Sequence, residues 1–135
     1  MFFSALVSFV LVVAPRVSIM EIQGASLVSP FVADSISTTG IVTRLARDGF
    51  YVQDALGDGD DATSDAVFVR STATVFVGDE VRLAGLVGEF LPSSDPANLT
   101  STEITRPFVT RIRAGVVLPV PVCIGRDARF PSATE

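Results

Sequence analysis

Ser35-Ile36-Ser37-Thr38-Thr39-Gly40-Ile41-Val42-Thr43-Arg44-Leu45, followed at once by Gly49-Phe50-Tyr51-Val52-Gln53-Asp54, is the stretch on which the fold turns. Apolar and β-branched residues recur there with a period of two, which belongs to strands that bury one face. Arg47-Asp48 separates the two runs closely enough to make them a hairpin. Gly40 stands in the middle of the first run, and an interior glycine in a strand marks a bulge or a sharp bend at a barrel corner.

Working outward, Ala66-Val67-Phe68-Val69-Arg70 reads as a third strand behind an acidic loop. Gly78-Asp79 is a turn signal that opens a fourth strand over 80–90, again with a mid-strand glycine, Gly85. A loop rich in Pro, Ser and Asp covers 92–98, and a less regular strand over 99–112 is cut by Pro107. Five strands in about 80 residues, two of them long and bent at glycine, outline an all-β fold: a five-stranded OB-like Greek-key barrel. A six- or seven-stranded sandwich is the alternative, because a single sequence does not fix strand order. Alternation points Ile36, Thr38, Val42, Phe50, Val52, Val67, Val69, Val81, Leu83 and Val87 inward. Tyr51, Gln53, Phe68, Arg70 and Arg82 point outward.

Composition restricts the chemistry. The chain has 135 residues, 48% hydrophobic and 19% charged, which suits one packed domain. It contains no His, no Lys and no Trp, and a single Cys. Histidine-based acid–base work, His-activated nucleophiles, Schiff-base chemistry and the phosphate-binding P-loop are thereby excluded. One Cys permits neither an internal disulfide nor a multi-cysteine metal site. These absences argue against a self-sufficient enzyme. Ten basic residues, all Arg, face 15 acidic ones for a net charge of −5. The excess sits in one stretch: Asp54, Asp58, Asp60, Asp61 and Asp65.

Residues 2–14 carry no charge and only two polar side chains, Ser4 and Ser8, before Pro15 and Arg16. The run is short of the ~20 residues of a membrane-spanning helix and fits the core of a secretory signal peptide, assigned to 1–20. A buried strand or a retained membrane anchor are the alternatives. A lead-in segment over 21–33 precedes the barrel, 34–113. Beyond it, 114–135 is apolar and punctuated by proline, the texture of an extended connector to a downstream domain.

An ordered set of motifs runs through most of the chain. It begins with Ile22-Gln23-Gly24, Ser29-Pro30, Gly40-Ile41-Val42-Thr43 and Gly49-Phe50-Tyr51-Val52-Gln53-Asp54. It continues with Gly57-Asp58-Gly59-Asp60, Val77-Gly78-Asp79-Glu80-Val81-Arg82, Leu118-Pro119 and Pro121-Val122. This set resembles the OB-fold-like domain near the front of large secreted bacterial nucleases. The resemblance implies a secreted or cell-surface, non-catalytic module that helps a downstream endonuclease/exonuclease/phosphatase-type nuclease domain hold nucleic acid. Ala66 stands where that family has Gly, and Arg126-Asp127-Ala128-Arg129 replaces a glycine-richer run. The His and carboxylates of the family's catalytic domain are not in this chain.

Two candidate sites emerge from the residues. OB folds hold single strands by stacking bases on exposed aromatics while basic side chains meet the backbone. Tyr51, Phe68, Arg44, Arg47, Arg70 and Arg82 are the residues for that role; against it, Phe68 can serve as core and surface Arg as solubilising charge. In the acidic loop, Asp54, Asp58, Asp60, Asp61 and Asp65 offer hard oxygen ligands of the kind calcium takes, aided by Thr63 and Ser64. The spacing departs from an EF-hand loop, and a solvated turn is the alternative. A loop cation would also lower repulsion toward nucleic acid, which couples the two sites. Catalysis by Asp58 and Asp60 is discounted, since catalytic carboxylates must be held at a fixed separation.

Overall fold

The computed structural model describes residues 13–125, a mostly-β structure with five strands in one sheet. The strands are β1 (Ser35–Ala46), β2 (Gly49–Gln53), β3 (Ala66–Arg70), β4 (Glu80–Phe90) and β5 (Ser101–Arg113). Their pairings close into a barrel in the order β1-β2-β3-β5-β4, with β4 back on β1. Every pairing is antiparallel except β3 with β5. β3 reaches β5 only through Phe68↔Glu103, Val69↔Ile104 and Arg70↔Thr105. β4 and β5 pair over almost their whole length.

All ten residues that alternation points inward are buried. Phe50, Val52, Val67, Val69, Val81 and Leu83 lose essentially all solvent contact, and Ile104 of β5 joins them. Pro107 does not end β5. The register shifts between Ala84 and Leu86, so that Arg106 and Pro107 together oppose Gly85. A proline is tolerated at such a bulge, where its missing N–H is not needed by the ladder.

One element was not expected from sequence. Helix α1 (Ile19–Gln23) lies within the stretch assigned to the signal peptide and the lead-in, and its Ile19 and Ile22 are fully buried. Ahead of it, Pro15 and Val17 hydrogen-bond to Ser37 of β1 at 2.8 Å each, and Val17 is buried. The tip of Ile19 lies over Gly40, 2.9 Å from where a Cβ would stand, so the glycine makes room for the helix that plugs the barrel end. A boundary at residue 20 would cut through this plug; the packed domain begins by Pro15. The apolar run ahead of it lies, up to residue 12, outside the described residues, as does 126–135 of the connector. The described part of the connector, 114–125, is largely exposed and is tied by Val116 N–H to the Gly78 carbonyl. No helix among the described residues is long and apolar enough to cross a membrane.

α1 is short, so its caps matter. The Ser18 hydroxyl accepts from Glu21 N–H, while the Glu21 carboxylate accepts from Ser18 N–H at 2.9 Å and from its hydroxyl at 2.7 Å. The Ser18 backbone donor, then its hydroxyl, holds the Glu21 carboxyl below its usual range. A lowered folded-state value stabilises the protein above the ordinary carboxylate range, and that contribution fades as pH falls through and below it. Melting temperature against pH, compared with Glu21→Gln, is the check. The gap between wild type and variant should be widest near neutrality and close in acid; a gap independent of pH contradicts the capping role.

Candidate nucleic-acid interface

The outer surface of β2 and β3 carries the aromatic residues that alternation places outside. Tyr51 and Phe68 are register partners, and their rings lie 5.1 Å apart, tilted by 58°. Tyr51 is exposed and Phe68 half-buried, so the pair is a surface platform and Phe68 is not core. On the other side of Tyr51, its register partner on β1 is Arg44, which is exposed, and Arg47 is exposed in the turn between β1 and β2. Directly opposed residues share a face, so Arg44 stands beside the tyrosine at the edge of the platform. Neither Arg44 nor Arg47 has an ion-pair partner among the described residues.

Arg70 is in the right place but already engaged. Its Nε and Nη2 fork onto Glu103 at 2.8–3.1 Å, and its Nη1 bonds Asp48. The guanidinium also lies over Phe68, 5.6 Å from the ring centre, and over Phe90, 4.8 Å away. Hydrogen bonds to Glu103 are the main reason that its pKa rises well above the ordinary guanidinium range, and burial works against them. A guanidinium forked on one carboxylate and bonded to a second has few donors left for phosphate. Its part here is to fix Phe68 and Phe90 as one surface. The resulting groove, lined by Asp48, Tyr51, Phe68, Arg70, Phe90 and Glu103, includes three residues that sequence reading passed over. Outward parity along β4 could have signalled Phe90; Asp48 and Glu103 lie 22 and 33 positions from Arg70, and no local pattern joins them.

Arg82 does not belong to this surface. It pairs with Thr39 of β1 and Thr110 of β5, on the far side of β1 from β2.

The acidic loop sits at the opposite end of the β2–β3 hairpin from Arg47 and Asp48, beyond Gln53 and Ala66. Three of its carboxylates accept from the loop's own backbone. Asp54 Oδ1 accepts from Leu56 and Gly57 N–H, Asp58 Oδ1 from Asp60 N–H, and Asp60 Oδ1 from Ala62 N–H, each at 2.9 Å. Thr63 donates its hydroxyl to Asp58. Such side-chain-to-backbone bonds are how Asp shapes turns. Asp61 is exposed, and Asp65 packs against Gly57 with one oxygen buried and unpartnered. Among the described residues, no three His, Cys, Asp or Glu side chains group as metal ligands. The strand between Arg47 and Asp54 separates the loop from the exposed arginines, which weakens the coupling expected between the two sites.

No protein-family model, no curated protein and no solved structure matches the chain.

Proposed function

We propose that this chain is a non-catalytic, OB-type module that holds single-stranded nucleic acid on the outer surface of β2 and β3, as part of an exported nuclease. The Tyr51–Phe68 pair beside Arg44, which has no ion-pair partner among the described residues, carries the reading: a stacking platform edged by a cation, on the strands OB folds use for binding. The strand order, with its parallel β3–β5 contact, supports the OB-type Greek-key assignment. The revised site is Tyr51, Phe68 and Phe90 for stacking, Arg44 and Arg47 for phosphate, and Arg70 as the positioning residue. Each stacked base contributes roughly 1–3 kcal/mol, so affinity is modest and falls with salt.

The test is fluorescence anisotropy of a labelled single-stranded oligonucleotide at low salt. Arg44→Gln with Arg47→Gln should weaken binding severalfold and flatten its salt dependence, whereas Arg82→Gln should not; equal effects would overturn the site. The same titration with calcium tests the loop, since an ion on Asp54, Asp58, Asp60, Asp61 and Asp65 would draw on carboxylate lone pairs beyond those that accept the backbone bonds above. A calcium-dependent gain in binding, lost in Asp58→Ala/Asp60→Ala, would restore the coupled mechanism.

The alternative is a structural module that docks a partner domain and touches no nucleic acid. The exposed apolar connector favours it, with Val117 and Val120 more than four-fifths exposed. Absence of binding by wild type at low salt would select it.

A further inference from the structure

A second surface lies around the barrel, on the outer side of β1, β4 and β5. Its centre is Phe108, 83% exposed. Strict alternation would bury this residue: Ile104 faces inward with no exposure, and so would 106 and 108. The bulge opposite Gly85 resets the count, so that Val109 packs against the core and Phe108 faces solvent beside Ala84. Arg106 takes a left-handed φ of 48° at that bulge, and bulges re-aim side chains in this way.

Three arginines lie on the strands and the lead-in that frame this surface. Arg106 and Phe108 line one groove with Ala14, Ser35, Ala84 and Leu86. Arg82 stands beside Thr39 and Thr110, and Arg16 donates to the Thr39 hydroxyl. No carboxylate among the described residues lies within ion-pair distance of Arg16, Arg82 or Arg106. The other two arginines of β5 differ: Arg111 faces Asp79 and Arg113 bonds Glu80. In a chain of net charge −5, Arg16, Arg82 and Arg106 thus share the outer surface of the protruding Phe108 with no carboxylate partner among the described residues. Ala14 lines the same groove, and Val13 beside it is 77% exposed, so two uncharged residues border the basic face.

We propose that this face docks on an anionic lipid surface, with Phe108 and Val13 entering the interface and Arg16, Arg82 and Arg106 meeting lipid phosphates. Exposed apolar side chains beside a basic patch combine the two attractions that hold a protein on an anionic membrane surface. Positive charge beside the exposed apolar Phe108 and Val13 favours a lipid surface, independently of any nucleic-acid binding on β2 and β3.

The test is sedimentation of the full chain with phosphatidylcholine vesicles, with and without about one-third phosphatidylglycerol. Binding should be markedly tighter to the anionic vesicles and reversed by salt. Arg82→Gln and Arg106→Gln should each weaken that binding about fivefold, and Phe108→Ser about tenfold. Thr110→Glu, an exposed position on the same face, should weaken it without touching the bulge. Tyr51→Ala should leave it unchanged, which separates this surface from the nucleic-acid site. Equal binding to neutral and anionic vesicles, or variants that all bind as wild type does, would overturn the proposal. So would a dimer in sedimentation equilibrium that Phe108→Ser dissociates, since the face would then be an interface between copies.

Discussion

A chain that starts at Glu21 should fail to hold the barrel at 37 °C, whereas one that starts at Val13 should fold. Starting at Glu21 removes Ile19 and Val17 from the core, the Ser18 cap from α1 and both Pro15 and Val17 hydrogen bonds to Ser37. Full burial of one such side chain contributes roughly 1.5–3 kcal/mol, and the void left beneath it adds more. The combined loss approaches the whole stability of a typical domain, about 5–15 kcal/mol. Ile22→Ala gives a graded version, costing about 2–5 kcal/mol because Ile22 sits fully buried on the same plug. Urea denaturation followed by far-ultraviolet circular dichroism measures both. If the Glu21 chain unfolds at the same urea concentration as the Val13 chain, α1 is not part of the packed domain.

The second large effect separates two adjacent residues. Phe50 is 1% exposed and is the largest of the fully buried side chains, while Tyr51 next to it faces out. Phe50→Ala should cost about 3–5 kcal/mol and lower the melting temperature by roughly 10–20 °C. Tyr51→Ala should move stability far less, since it loses only the ring contact with Phe68, worth about 0.5–1.5 kcal/mol. Its effect belongs in ligand binding. Similar stability losses in the two variants would mean that β2 is not oriented as described.

The strand faces were legible from sequence because their signal is local: a side-chain period of two needs only neighbours, and Ile36 to Val87 follow it without a slip among the ten inward positions. Strand number and the outward Tyr51–Phe68 pair follow from the same rule. What the sequence hid was non-local. An apolar run reads alike as a leader or as core, so Ile19 could not be told from the uncharged stretch before it. Arg70 was expected to meet phosphate, but its partners come from a turn and from β5, far along the chain. Phe108 escaped notice because one extra residue at the bulge reverses the parity of everything after it.

The acidic loop teaches a related point about charge. Clustered Asp residues suggest a cation when their repulsion is considered alone. Their hydrogen bonds to Leu56, Gly57, Asp60 and Ala62 supply the opposing positive ends from the backbone. Spacing alone does not show which N–H groups a loop turns toward its own side chains.

Whether Tyr51 and its neighbours bind a single strand is decided by anisotropy of a labelled oligonucleotide with wild type and Tyr51→Ala. Wild type should bind in a salt-sensitive way and Tyr51→Ala should bind roughly tenfold more weakly, since one stacked base contributes about 1–3 kcal/mol. Equal affinity of the two proteins, with both equally stable, would contradict it.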